Sequence, residues 1–376
     1  MLSIFLFLLG GSVSDLHVAN VEKISQVIGE TDRQRGRPAE NQTETRAGIR
    51  GTDLGASFEY KGRLVFLFGD TWPVGPNTQD RPVDGDAIAF CEDRNPEDGL
   101  PLEFIKAEDG KYEAVHIPGV SLGGFEVPTG GFSANGHMYA VYTTDHSRGP
   151  RGEIMGRSVL ARSDDGKRWE QVFELSRNHF INVSPVVVNM SDVPGLPKTG
   201  GKAVLFFASG REYRRSSPRL ACLPLFDVER PSAIRYWSGS GWSRSESDAQ
   251  PLFVHEEIGE VSVAWSPQLH QWLMTYNSGH PRGIVLRTSP SPIGPWSDPL
   301  ILFDPHKDGY GKFMHIGSGK DGMSDPGRER DWGGEYGPYM IPSYFRAIHR
   351  GVRIYFTMST WNPYAVVLMK ADVTRK

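Results

Sequence analysis

Five times along the 376-residue chain, a tight-turn signal is followed by a short aromatic or β-branched strand that ends on a small or polar residue. These strands read RLVFLFGD at 63–70, HMYAVYTTD at 137–145, KAVLFFASG at 202–210, QWLMTYNSG at 271–279 and VRIYFTMST at 352–360. Another short strand is expected before each, at 56–60, 130–134, 184–188, 261–265 and 340–345. Several are followed by a third strand and a Trp-bearing turn, as at 158–162 before Trp169 and 283–288 before Trp296. Helical periodicity is scarce. One β-only unit recurring about every 70 residues points to a radial array with generous loops, since the common blade needs only 40–45. A lone four-stranded sheet cannot cover both of its faces. Packing each sheet on its neighbours does so, and closing the ring leaves few exposed edges. The expected class is therefore all-β, a five-bladed β-propeller over residues 48–376. A β-sandwich uses similar hairpins but does not require such regular recurrence.

Two segments precede the propeller. Residues 15–47 are polar and read as an extended lead-in. Residues 2–9, LSIFLFLL, are apolar and followed by small residues up to Ser14. The run is too short to span a bilayer and reads as the core of a signal peptide over residues 1–14, although no Lys or Arg precedes it. Secretion is the expectation, with no membrane span. The formal net charge of −4 provides no basic field for phosphates, so nucleic acid is not an expected partner. Cys91 and Cys222 are the only cysteines, which rules out a disulfide framework and a cysteine zinc cluster. One disulfide or two buried thiols remain open. The 11 histidines are scattered, and neither a Gly-rich phosphate loop nor a G-x-S-x-G elbow is present. No cofactor or metal is expected, and the chain is read as a monomer.

In a propeller the innermost strands line a central funnel whose mouth binds ligands. The polar residues at those positions are Thr52 and Asp53, then Asp70 and Trp72, in the first repeat. The second repeat gives Glu126 and Thr129, the third Asn182 and Arg211, the fourth Glu260 and Asn277. The fifth gives Tyr336, Trp361, Asn362 and Tyr364, with His315 ahead of it. Carboxylates, amides, hydroxyls and aromatic rings together fit carbohydrate, which offers hydroxyls to the polar groups and apolar faces to the rings. Glycoside cleavage needs two carboxyl groups across the scissile bond. Asp53 and Asp70 are the expected catalytic pair, with Glu260 as the reserve acid and the other residues as substrate contacts. Each has a structural alternative. Asp53 could bond its own turn, Asp70 cap a strand end, Glu260 belong to a solvated charge run at 256–260, and His315 sit in the core. Two rival functions stand beside the hydrolase: a carbohydrate-binding propeller without catalysis, and a scaffold for protein partners.

The segments GTDLG at 51–55, FGDTW at 68–72, VPTGG at 127–131, GEVSVAW at 259–265, GPW at 294–296 and STWNPY at 359–364 together resemble a known propeller family. It was once a domain of unknown function and is now counted among glycoside hydrolases. Its characterised members are endo-D-arabinanases, which cut the arabinan of mycobacterial-type cell walls. The resemblance spans about residues 48 to 373. It implies a five-bladed propeller acting on D-arabinan and, by matched position, Asp53 and Asp70 as the catalytic carboxylates. This chain adds long insertions at 209–218 and 304–332.

Overall fold

The computed structural model describes residues 15–198, 200–317, 321, 323, 328 and 330–376. The signal segment expected at 1–14 lies outside them. Five antiparallel sheets follow one another along the chain. Strand β1 (Leu16–Gln26) comes first. Blade one holds β2 (Ile49–Tyr60), β3 (Arg63–Pro73), β4 (Gly85–Cys91) and β5 (Glu103–Phe104). Blade two holds β6 (Pro128–Ala134), β7 (His137–Thr144), β8 (Arg157–Ser163) and β9 (Glu170–Ser176). In blade three, β10 (Asn182–Asn189), β11 (Lys202–Ser209) and β12 (Arg219–Pro224) are extended by β13 (Arg235–Trp237) and β14 (Trp242–Ser243). Blade four holds β15 (Val261–Ser266), β16 (Gln271–Ser278), β17 (Gly283–Ser289) and β18 (Leu300–Phe303). Blade five holds β19 (Glu335–Met340), β20 (Gly351–Thr360) and β21 (Ala365–Arg375). The first strands of successive blades touch in a closed cycle, which makes the five-bladed propeller.

The second strands are apolar on both faces because a sheet lies on each side. In β3, Phe66 and Phe68 pack with Tyr355 and Leu368 of blade five. The alternate residues Val65 and Leu67 pack with Tyr142 and Val159 of blade two. In β11, Val204 and Phe206 face blade two, while Leu205 and Phe207 face blade four. Around the axis, hydroxyls stitch one first strand to the next. Thr129 Oγ1 accepts the Val183 N–H at 3.0 Å, Ser184 Oγ that of Val263 at 2.9 Å, and Ser262 Oγ that of Met340 at 3.0 Å. Blade five reaches blade one through Ser359 Oγ, which accepts the Leu54 N–H at 2.8 Å.

Two expectations need correction. The lead-in at 15–47 contains β1, which pairs antiparallel with β21 from Leu16↔Arg375 to Gln26↔Val367 and forms the outermost strand of blade five. The propeller thus begins ahead of residue 48. The polar residues of β1 concealed it, because one face of an outermost strand meets solvent. The first strand expected at 340–345 lies instead at Glu335–Met340. Pro342 opens a single helical turn there, and Tyr344 is buried between blades five and one. Cys91 and Cys222 are both free and buried. Among the described residues, no helix is long and apolar enough to cross a membrane.

Closure by β1 includes a buried ion pair, Lys23 Nζ to Asp32 Oδ1 at 2.6 Å. Removing one member strands the other charge in the interior, at a cost of about 3–5 kcal/mol. Asp32→Ala should therefore show a loss of that order in chemical denaturation. A loss under about 1 kcal/mol would mean that the pair contributes nothing net to closure.

Candidate active site

Blade one sets three acids side by side on neighbouring strands. Asp53 lies within β2, not ahead of it as the sequence suggested, and stands opposite Gly69 of β3. Between β3 and β4 the register steps from Phe68↔Ala87 to Thr71↔Gly85, so Gly69 and Asp70 together face Asp86. This extra residue is a bulge, a device that re-aims side chains. Asp70 takes the left-handed φ of 43° that the bulge requires. A Cβ on Gly69 would stand 2.6 Å from Val127 Cγ1, so only glycine lets blade two approach this closely.

Asp53 and Asp70 adjoin a cavity at the mouth of the axis. Asp53, Asp70, Phe125, Asn182, Glu260 and Tyr336 are among its lining residues. Asp53 is buried. Its Oδ2 accepts the Tyr336 hydroxyl at 2.9 Å, and its Oδ1 has no partner among the described residues. Burial pushes its pKa up to about 7; the Tyr336 hydrogen bond opposes this and the Glu260 charge adds to it. Asp70 is half-buried, and both of its oxygens accept the Phe125 N–H, at 3.0 and 3.3 Å. Burial, then the charges of Asp53 and Asp84, raise its pKa as well. Protons therefore leave Asp53 and Asp70 in two steps that belong to the pair.

Asp86 is fully buried, and neither carboxyl oxygen has a partner among the described residues. Burial first, then the charges of Asp70 and Asp53, hold its pKa well above the usual carboxylate range. Glu260 has the opposite character. Its Oε1 accepts the Tyr213 hydroxyl at 2.5 Å and Arg214 Nη2 at 3.2 Å, and its Oε2 accepts the Gly337 N–H at 3.3 Å. Burial favours the neutral acid, but Arg214 and Tyr213 outweigh it and the pKa falls below its ordinary value. Glu260 is thus a stabilised anion, poorly suited to the reserve-acid role expected of it. Phe125 holds φ at 68°, unusual for a bulky side chain. Its ring stacks on His146 at 4.8 Å and meets Tyr213 edge-on at 5.8 Å.

Of the expected contacts, Asn182 and Tyr336 line the cavity. Tyr364 donates to the Asp70 carbonyl at 2.8 Å, and its ring lies 4.5 Å from that of Trp72, with Trp361 alongside. Trp72 is anchored by its Nε1 to Asp84 Oδ1 at 2.8 Å. Asn277 supports the site from behind, its Oδ1 accepting the Glu260 N–H at 3.1 Å. The remaining contacts serve the framework. Thr52 turns away from Asp53 to the Gly69 carbonyl and Thr71, as alternation along a strand dictates, and Thr129 is one of the axial stitches. Glu126 fastens the Phe125 loop by accepting from Ser121 Oγ and the Gly123 and His146 N–H groups. His315 Nδ1 meets Asp321 at 2.9 Å, while Asn362 Nδ2 donates to the Arg328 and Asp331 carbonyls. Arg211 is exposed and outside the cavity; Arg214, three residues on, is the cation that enters it.

Asp86, Phe125, Tyr213 and Arg214 were not foreseen. Asp86 heads the apolar run DAIAFC, the same kind of signal that singled out Asp70. Tyr213 and Arg214 lie in the 209–218 insertion, where no strand period assigns them a direction. Among the described residues, no group of three or more His, Cys, Asp or Glu is arranged to hold a metal ion.

The raised pKa of Asp53 gives stability a definite pH dependence. The folded protein holds this proton more tightly than the unfolded chain, whose value is near 3.8. The contribution is complete below about pH 4 and is lost as pH rises towards about 7, by up to about 4 kcal/mol. Asp53→Asn should therefore exceed the wild type in stability at pH 8, and the gap should close by pH 4. Urea titrations at the two pH values check this; parallel pH curves would refute it.

A family model described as a domain of unknown function, DUF4185, matches residues 38–370. The Notoamide biosynthesis cluster protein J of Aspergillus sp. (strain MF297-2) is 26% identical over 352 residues, covering 84% of this chain and 86% of that protein. Among solved structures, Zg3597, a family 117 glycoside hydrolase of Zobellia galactanivorans, superposes with a TM-score of 0.46 at 10% identity, over 97% of this chain and 91% of that one. A glycosyl hydrolase from Bacteroides ovatus does so with a TM-score of 0.47 at 12% identity, over 94% of each chain. With its match running through all five blades, the chain belongs to the DUF4185 family.

Proposed function

We propose that the protein is a glycoside hydrolase using Asp53 and Asp70 as its paired carboxylates. The observation that supports this most directly is that both acids face one cavity at the axis mouth and hold their protons more tightly than ordinary carboxyls. In such a pair one member can hold a proton while the other is ionised. The protonated member gives that proton to the departing glycosidic oxygen. The ionised member either attacks the anomeric carbon or takes a proton from the attacking water. Glu260 and Arg214 form a fixed ion pair at the cavity wall, able to bond sugar hydroxyls without joining the proton transfer. Asp86, its pKa raised by burial, resists adding a third negative charge to the pair.

The substrate in this reading is a furanoside polymer, D-arabinan, cut within its chain. Support comes from the GTDLG, FGDTW and STWNPY segments, which supply Asp53, Asp70 and Tyr364. Export by the apolar segment at 2–9 and action as a monomer belong to the same reading.

Asp53→Asn and Asp70→Asn, made separately, should each lower oligosaccharide release from D-arabinan at least about a hundredfold. Circular dichroism would check that both variants fold. Activity of the wild type should fall as pH rises past about 7, where the shared proton is lost. Near-normal turnover in both folded variants would remove the assignment. Saccharide binding that persists with no products from any form would point to a binding module instead.

A further inference from the structure

Beyond the acid cavity, the rim of blade five presents indole rings that the catalytic reading leaves unused. Trp361 is 43% exposed and Trp332 44%, high for the largest aromatic side chain. They are not isolated. Trp72 stands two residues after Asp70 and meets Trp361 edge-on at 6.1 Å. Trp361 and Trp332 flank Gly334, which holds φ at 49°. A Cβ there would lie 2.9 Å from the Trp332 ring and 3.2 Å from Trp361 Cβ, so the turn that carries Trp332 packs this closely on Trp361 only at a glycine. At the far end, the Arg282 guanidinium lies 4.2 Å over Trp332 and forks onto Glu335 at 3.0 and 3.3 Å. Trp332, Arg282 and Glu335 line a cleft that shares Tyr213 and Arg214 with the acid cavity.

We propose that Trp72, Trp361 and Trp332 form an aromatic rail on which a polysaccharide chain lies as it leaves the acid cavity. The inference rests on the glycoside hydrolase reading and extends it to how a long substrate is held. An indole face accepts the C–H face of a sugar ring, and the flanking guanidinium and carboxylate bond its hydroxyls. Arg282 is already paired with Glu335 and Arg328 with Asp331, which suits a neutral glycan better than a polyanion. One sugar covers one indole. A rail of three indoles engages successive sugars of one chain, so it rewards length.

The test compares D-arabinan polymer with an arabinotetraose in the full-length protein. Trp332→Ala should lower the polymer-to-tetramer ratio of kcat/KM about tenfold, the effect of one stacking contact. Gly334→Ala, which drives a methyl group against the Trp332 ring and Trp361 Cβ, should do the same, and Trp332→Phe should restore part of the ratio. Retention in a native gel containing D-arabinan gives a readout that needs no catalysis. If that gel retains the wild type but not Trp332→Ala, the rail stands even where no cleavage is found. If the wild type cleaves D-arabinan and both folded variants keep its ratio, the rail falls and the catalytic reading survives. A wild type neither retained by the polymer nor active on it also overturns the rail.

Discussion

The innermost strand of a propeller blade has no ladder partner on its axial side, so its N–H groups there must find other acceptors. In this protein short hydroxyl side chains meet that need. Thr129, Ser184, Ser262 and Ser359 each take an N–H from a strand of the adjoining blade. Each bond is ordinary in strength. Their joint effect is to fix the height of one first strand against another. Asp53, Glu260 and Tyr336, which come from three different blades, reach one cavity because that relative height is set.

Bringing acids together in a buried place is costly, and the site answers the cost differently for each of them. Glu260 receives a cation and a phenol, and ionises. Asp53 receives one phenol and is left near the balance point. Asp86 has no side-chain partner among the described residues, and burial raises its pKa. Asp70 draws on a backbone N–H that is available because Phe125 adopts a left-handed conformation, and Glu126 holds that loop in place. Two residues in the left-handed region thus meet in one hydrogen bond beside Asp53.

The sequence disclosed the repeating part of this molecule and concealed the unique part. The second strands were legible because sheets on both sides make RLVFLFGD and KAVLFFASG apolar throughout. Asp70 stood out as a carboxylate ending such a run and Asp53 as one just ahead of a strand, and both line the axial cavity. The outermost strand β1 was not legible, since solvent on one face gives it the composition of a linker. Thr129 and Thr52 were read as substrate contacts because a polar residue near the axis can face either the funnel or the next blade, and composition does not separate the two. Arg211 was singled out and Arg214 was not, because loop residues have no period from which a direction could be inferred. Trp332 escaped notice for a related reason: its place beside Trp361 depends on the turn at Gly334.

The pairing of β1 with β21 has a consequence for how the molecule assembles. Leu16 and Arg375 are partners, and the Lys376 N–H reaches the Asp15 carbonyl at 2.8 Å. That contact joins positions roughly 360 apart, among the most entropically expensive loops this chain can form. The other sheets are built from neighbouring hairpins and can form while the ring is still open. Circularity is therefore acquired late, from a nearly complete arc whose two free edges find each other, and until then those edges offer themselves to any other extended chain.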